Sequence, residues 1–261
     1  MSVVIASGFT GNVEPINHPR ICYDRPAITA SASGSADGYD PQWVADGETW
    51  SVWEANAASA SLSLAFSPTP VSYAGIAAHN LGSTGATITC SAGGSISPTN
   101  DDAILFLFEE STMSGVSFSI SGGSSAPRIA VAQAGLALEM PRLSVFTGVP
   151  ISESRNVSYR HQRSITGDVL GRSTEGAQLE FSLTVNNLPE EFRESTAAVS
   201  WKNFVRHTDR VGPFFIAAKP EKYPDDLAYA RVTEPPRFSR ETPNRLLSGS
   251  VAFNCVGYSA P

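Results

Sequence analysis

The stretch Ser61–Phe66 reads SLSLAF and alternates strictly between small or polar residues and apolar residues. A period of two places its leucines and its phenylalanine on one face of a β-strand that is buried on that face only. Pro68 and Pro70 follow directly. Because proline cannot donate a hydrogen bond to a neighbouring strand, we expect the strand to end there. The stretch therefore predicts a short strand of an antiparallel sheet.

Similar runs occur through the first half of the chain. Val116–Ser121 and Ala86–Cys90 alternate in the same way, whereas Ile104–Phe108 (ILFLF) is apolar throughout. A continuous apolar run of this length predicts a strand buried on both faces. Clusters such as Gly93-Gly94-Ser95 supply turn residues between the runs. Many short strands at such spacing predict a β-sandwich or jelly roll.

Composition favours a turn-rich, mainly β protein. The 261 residues include 21 glycines and 18 prolines, and only 16% of them are charged. Cys22, Cys90 and Cys255 lie far apart and form no CxxC pair. We interpret them as reduced, mostly buried thiols, because neither a disulfide framework nor a structural zinc site has such spacing.

The charge is distributed unevenly and indicates two domains. Residues 1–140 carry three basic against twelve acidic side chains, and residues 141–261 carry fifteen basic against thirteen acidic ones. We therefore predict domains at 1–140 and 141–261. The net charge of −7 argues against nucleic-acid binding, which needs clustered Lys and Arg.

Neither a targeting signal nor a membrane segment is expected. The first residues, MSVVIASGF, lack a basic leader and a sufficiently long apolar run. No later run approaches the roughly 18 apolar residues that a membrane helix needs. We expect a protein that stays where it is made, unless a larger assembly carries it elsewhere.

The second part combines strands with one helix. Leu179–Val185 alternates like a strand, and a helix is predicted from Glu190 to His207. Later strands are predicted at 214–218, 227–232 and 250–256. The helix carries an apolar stripe, which indicates one buried face and comprises Ala197, Ala198, Trp201, Phe204 and Val205. This pattern predicts a mainly β domain with one packed α-helix.

Residues 75–85, GIAAHNLGSTG, contain His79 and Asn80 next to small residues. A phosphate-binding loop needs Gly-Lys-Ser/Thr before a helix, and the chain has no Gly-Lys pair. It also has neither HExxH nor GxSxG. We therefore expect no cofactor, no metal and no enzymatic activity. His79 and Asn80 either cap or bridge a turn, or contact a ligand or another subunit.

An aromatic set lies upstream, at Tyr39, Trp43, Trp50 and Trp53. Aromatic rings stack on sugar faces, so the set is compatible with a carbohydrate site. The alternative is that Trp43 and Trp53 close one end of the sandwich. The nearby carboxylates have no spacing that would place two of them on one rigid face as a catalytic pair.

The order of several of these motifs resembles discoidin or galactose-binding-like modules over about residues 25–140. The resemblance implies a jelly-roll β-sandwich whose loops can bind sugars or lipids. It is carried by Ile28–Ser31, Asp46-Gly47, Trp53, Ser61–Phe66, Val71, Tyr73 and Ile76.

The strand–helix–hairpin–strand order of the second part resembles the tail-tube-like and distal-hub folds of tailed bacteriophages. Four stretches over most of the chain are similar to minor tail proteins of long-tailed phages: Ala78–Thr87, Pro98–Phe108, Val169–Ser173 and Gly212–Asp225. The resemblance implies a virion component made in the host cytoplasm. It also implies a homo-oligomeric ring, such as a hexamer or a trimer, that contacts other tail proteins. It supplies no catalytic residue.

Segment 143–178 carries Arg155, Arg160, Arg163 and Arg172 among polar residues. It is either an arm that reaches a neighbouring subunit or an ordinary surface loop. Three functions follow from the sequence: a structural tail protein at the tail tip, a carbohydrate-binding adhesion module for a host-surface glycan, or a hydrolase. Only generic Asp, Glu and Ser residues support the third.

Overall fold

A computed structural model describes residues 3–146, 149–166, 168–210, 212–241 and 248–260. The chain is mainly β and forms two largely antiparallel sheets, as the sequence predicted. The helices are α1 (Leu81–Thr84), α2 (Glu190–Glu194) and α3 (Trp201–Asp209), with 3-10 helices at Pro41–Ala45 and Ile151–Glu153. The strands are β1 (Val3–Ile5), β2 (Arg20–Cys22), β3 (Thr29–Ala32), β4 (Trp53–Glu54), β5 (Ala60–His79), β6 (Thr87–Cys90), β7 (Gly94–Ile96), β8 (Ile104–Ser121), β9 (Arg128–Gly135), β10 (Leu138–Glu139), β11 (Ser144–Phe146), β12 (Arg155–Arg163), β13 (Val169–Pro189), β14 (Phe214–Ala217), β15 (Leu227–Val232), β16 (Arg237–Glu241) and β17 (Ser248–Tyr258).

The first sheet has the strand order β4-β9-β5-β8-β6-β7, with β3 added to β5 and β1 added in parallel to β8. Its two long strands, β5 and β8, pair with each other along most of their length. Leu62 and Ile76 lie in opposite halves of β5, yet both belong to one apolar cluster, the sandwich core. A straight strand of this length would extend for about 65 Å. The strand must therefore bend, and the sheet folds over into two layers.

The prediction that Pro68 and Pro70 end the strand is wrong, because β5 continues through both. The pairing with β8 shifts register between Ala65 and Thr69, and shifts again between Val71 and Tyr73. Irregular pairing of this kind tolerates proline and bends a strand. Two predicted strands, Ile104–Phe108 and Val116–Ser121, similarly turn out to be the two ends of β8.

The second sheet has the order β10-β2-β14-β15-β17-β13-β11, with β12 paired to β13 and β16 paired to β17. Two of its strands, β2 and β10, come from residues before 141. The chain on both sides of the predicted boundary thus contributes to this sheet. Whether 1–140 and 141–261 fold as separate domains stays a prediction.

The predicted helix over Glu190–His207 is interrupted. Residues 195–200 separate α2 from α3, and the side chain of Ser200 accepts a hydrogen bond from the Asn203 N–H at 3.4 Å. This N-cap starts a new helix at Trp201. The hydroxyl of Tyr23 also fixes the backbone between the two helices, because it donates to the Ser200 carbonyl and accepts from the Ser200 N–H, each at 3.0 Å.

The apolar stripe expected on this helix is therefore only partly correct. Trp201 and Phe204 are buried against the second sheet, in the cluster that we call the helix-side core. Ala197 and Ala198 lie before α3 and are exposed. The predicted helical spacing of apolar residues is correct from Trp201 onward. The N-cap residue Ser200 determines where α3 begins.

The two sheets are joined by a third apolar cluster, the joint core. Phe215 of β14 and Tyr229 of β15 contribute to it from the second sheet, with ring centroids 4.7 Å apart. Leu105 contributes from β8 of the first sheet. The predicted burial of Ile104–Phe108 on both faces is confirmed, because alternate residues point into the joint core and the sandwich core.

The cysteines match their predicted state. Cys22, Cys90 and Cys255 are buried free thiols, one in each of the three apolar clusters. Burial raises the pKa of Cys255 to about 12, so this thiol stays protonated at neutral pH.

We predict that Gly75→Ala destabilises the protein, because a Cβ at this position would lie 2.8 Å from a ring carbon of Phe215 in the joint core. Overpacking of this kind typically costs about 1–3 kcal/mol in the free energy of unfolding. Urea denaturation measures it. The matched control is Gly171→Ala, where a Cβ meets nothing within 4 Å. Equal stability of the two variants would contradict the tight contact between the sheets.

Candidate functional site

Two kinds of site are not found among the described residues. No group of three or more His, Cys, Asp or Glu side chains among them is placed to hold a metal ion. Within the same residues, no helix is long and apolar enough to cross a membrane. The remaining candidates are the aromatic loop, the end of β5, the β12–β13 hairpin and a groove beside α2.

The aromatic loop is the segment between β3 and β4, and short-range hydrogen bonds shape it. The carboxylate of Asp40 accepts from the Gln42 N–H at 2.8 Å and starts a 3-10 helix. The side chain of Gln42 then accepts from the Ala30 N–H at 2.9 Å and donates to the Ile28 carbonyl at 3.0 Å. This bridge fastens the loop to the edge of the sandwich.

The three aromatic residues of this loop and Trp53, which begins β4, have different environments. Trp53 is 0% exposed in the sandwich core, and its Nε1–H donates to the Ser35 hydroxyl at 3.0 Å. Tyr39 is half-buried. The indoles of Trp43 and Trp50 are 41% and 77% exposed. Only these two present a large aromatic surface to a ligand, whereas Trp53 is a core residue.

A cleft of about 230 Å³ lies beside Trp50, between the loop and the second sheet. Glu48 and Arg231 face each other across it, with an Nη2–Oε2 distance of 2.8 Å. The hydroxyl of Tyr229 donates to the Gly47 carbonyl at 2.7 Å and anchors the loop to the second sheet. An exposed indole therefore stands next to fixed charged groups.

His79 and Asn80 organise the end of β5. His79 is 5% exposed, and its Nδ1 accepts from the Leu81 N–H at 3.2 Å. Asn80 bridges to the neighbouring segment, because its side chain donates to the Ala126 carbonyl at 3.1 Å and accepts from the Arg128 N–H at 2.8 Å. In this structure both side chains make intramolecular contacts that bridge a turn. Whether they also contact a ligand or a subunit stays a prediction.

The 143–178 segment is largely a β-hairpin rather than an irregular loop. β12 pairs with the first part of β13 from Arg155↔Leu179 to Arg163↔Val169. In β12 every side chain is exposed except that of Val157, which is half-buried. Among the side chains of β13 whose burial is described, the first buried one is Phe181. The hairpin therefore extends beyond the core with solvent on both faces.

The four predicted arginines all lie on this hairpin. The guanidinium of Arg172 lies 4.6 Å from the ring centre of Tyr159, a cation–π contact across the strands. Arg160 and Arg163 are exposed on β12. Arg155 begins β12, and its charge opposes the rise that burial causes in the pKa of Asp102. The structure thus brings the arginines together on one protruding element.

A groove beside α2 was missed by sequence reasoning. It has a volume of about 420 Å³ and lies between residues 12–14, residues 136–141 and the two helices of the second part. The half-buried lining residue Glu139 forms an ion pair with buried Arg20 behind it, with an Nε–Oε1 distance of 3.5 Å. Glu139 also accepts from the Val13 and Glu14 N–H groups at 2.9 and 2.7 Å. No local motif signals this groove, because distant segments build it.

We predict that His79 makes stability depend on pH. Burial lowers its pKa from 6.5 to about 4. As the pH falls below 6.5 the unfolded chain therefore takes up the proton first, so the stabilisation is complete above this value and declines towards pH 4. The decline amounts to about 3 kcal/mol.

Urea unfolding of the wild type and of His79→Gln at pH 7.5 and 4.5 measures this effect. Carboxylates titrate in both proteins, so the difference between the two pH dependences isolates His79. The control is His161→Gln on the exposed hairpin, which should behave as the wild type. Identical pH dependences for wild type and His79→Gln would refute the prediction.

Comparison with known proteins leaves the family open. No protein-family model matches the chain, and no curated protein matches it significantly. Among solved structures, it is similar to chitosan-binding module 1 of a chitosanase/glucanase from Paenibacillus sp. IK-5, with 12% identity, coverage of 44% of this chain and 98% of the module, and a TM-score of 0.37. A family 32 carbohydrate-binding module of NanJ from C. perfringens in complex with galactose has 17% identity, 44% and 98% coverage, and a TM-score of 0.35. A pectin-binding module has 16% identity, 42% and 91% coverage, and a TM-score of 0.36. A shared ligand does not follow from such identities.

Proposed function

We propose that the chain is a non-enzymatic structural subunit that assembles with copies of itself through the β12–β13 hairpin. One observation carries this proposal: in the hairpin, described side chains at odd and even positions alike are exposed. A strand pair that belonged to the core of a single copy would bury one face. The exposed ribbon therefore fits a segment whose partner is another molecule.

Physical chemistry supports a role in assembly. A two-stranded ribbon that packs against nothing is only marginally stable in water. Natural proteins also tend to cover or shorten exposed strand edges, because these pair readily with other chains. Here β12 has nine residues and pairs with β13 on one side. Contact with a neighbouring subunit would bury the ribbon and complete its packing.

We place this subunit in the tail of a long-tailed bacteriophage, as a ring-forming minor or distal tail protein. The support is the similarity of the four stretches described above to minor tail proteins. The protein would be made in the host cytoplasm, enter the virion and contact other tail proteins. The exposed hairpin supports this proposal, because it lies in segment 143–178, which we expect to act as an inter-subunit arm.

We predict that shortening the hairpin abolishes assembly without unfolding the protein. Residues 159–174 are replaced by an Asn-Gly turn, which favours a tight hairpin. The wild type should form oligomers in sedimentation velocity and rings in electron micrographs. The shortened variant should remain monomeric, with an unchanged melting temperature because the replaced residues lie outside the apolar clusters. A monomeric wild type, or a shortened variant that still assembles, would refute the proposal.

Carbohydrate binding by the aromatic loop is a second candidate function. The observation that favours it is the exposed indole of Trp50 beside the Glu48–Arg231 pair in the 230 Å³ cleft. Sugar rings stack on such aromatic faces, while charged groups orient their hydroxyls. A host-surface glycan would be the ligand, and this role is compatible with a tail subunit.

We predict that Trp50→Ala removes any glycan signal on an array, with at least a tenfold loss of affinity and an unchanged melting temperature. The loss of an exposed stacking surface leaves the cores intact. The comparison variant is Tyr223→Ala, another exposed aromatic residue, which lies in the turn before β15. The carbohydrate proposal fails if the wild type binds no glycan, or if Trp50→Ala binds as well as Tyr223→Ala.

A further inference from the structure

We infer that the outer end of the β12–β13 hairpin of one copy docks into the groove beside α2 of a second copy. The inference rests on the proposed assembly function and names the surface that receives the hairpin. Three independent features carry it: the apolar character of both surfaces, their opposite charge, and their positions at opposite ends of β13.

The groove offers an apolar surface of suitable size. Its volume of about 420 Å³ lies within the range of pockets that hold ligands or anchoring side chains. Val13 at its edge is 84% exposed. Further apolar lining residues include Leu136, Leu138, Phe192, Val199 and Trp201.

The outer end of the hairpin supplies matching side chains. Ile165 is fully exposed, and Leu170 is 70% exposed. Both are branched aliphatic residues near the turn that joins β12 to β13. Single exposed apolar residues are common, but two at the end of a protruding ribbon form an anchor of the kind that fills a pocket on a partner.

Charge complementarity selects this groove as the receiving surface. Its charged lining residues are all acidic, namely Glu14, Glu110, Glu139 and Glu191. Glu139 is paired with Arg20 inside the protein, whereas Glu110 and Glu191 are exposed. The outer part of the hairpin, residues 160–173, carries three arginines (Arg160, Arg163 and Arg172) against one acidic residue, Asp168. A basic ribbon entering an acidic groove is favoured in encounter and in orientation.

The layout of β13 favours a second copy as the partner. Leu170 lies near the first residue of this strand, and the groove residues Pro189 and Phe192 lie at and just beyond its last residue. An extended strand of 21 residues spans about 65 Å. Each copy therefore presents a donor and an acceptor at opposite ends of one long strand. Such head-to-tail contacts close into rings when the rotation between copies permits.

Two variants with different blocked ends test the inference by sedimentation velocity. The variant with residues 159–174 replaced by Asn-Gly has no donor, and Val13→Lys places a positive charge in the acceptor. Each alone should be monomeric, with at least a tenfold weaker association than the wild type. A mixture of the two variants should form a 1:1 dimer and no larger oligomer. The intact hairpin of Val13→Lys binds the intact groove of the shortened variant, and no second pair of intact surfaces remains.

The control is Val149→Lys, at another exposed valine outside the groove, which should assemble as the wild type does. Glu191→Lys provides a second acceptor variant, and melting temperatures verify that both are folded. The inference is overturned if folded Val13→Lys and Glu191→Lys assemble normally, or if the mixture gives no dimer. If the wild type assembles and the shortened variant is monomeric, either of these results overturns the docking inference but leaves the proposed function intact. If the wild type is monomeric, both the docking inference and the proposed function are refuted.

Discussion

The contact between the two sheets is the constraint on which the rest of this structure depends. Phe215 lies over Gly75, where a β-carbon would approach its ring to 2.8 Å. β14, β15 and the Ile104–Phe108 part of β8 are therefore buried on two faces, and their residues alternate between the joint core and a second cluster. Because protein interiors are close-packed, the addition of one methyl group at this contact disturbs the packing of both sheets.

The joint core also positions the candidate surfaces. Tyr229 packs on Phe215, and its hydroxyl holds the aromatic loop at Gly47. The same sheet that carries these residues contains β13, which extends past the core as a hairpin at one end and leads into α2 at the other. An exposed hairpin and a groove at opposite ends of one strand are the geometric basis of the head-to-tail contacts that we propose.

Particular residues show how much of this could be predicted. Ile104–Phe108 was predicted to be buried on both faces, and it is, because an apolar run without alternation leaves no solvent face. The bend of β5 at its prolines was not predicted, since a local rule assigns proline to a strand end. The start of α3 depended on Ser200, whose backbone is held by Tyr23 across 177 residues.

By itself, the sequence determined the mainly β class, most strands, the buried state of the cysteines and the alternation of the core faces, because these follow from side-chain period and composition. Only the tertiary structure decided that Trp53 is buried while Trp50 is exposed, although the two tryptophans lie three residues apart in the sequence. The tertiary structure also determined that a groove forms beside α2 and that the hairpin protrudes. Both features depend on which distant segments of the chain pack together, and the local sequence pattern does not contain this information.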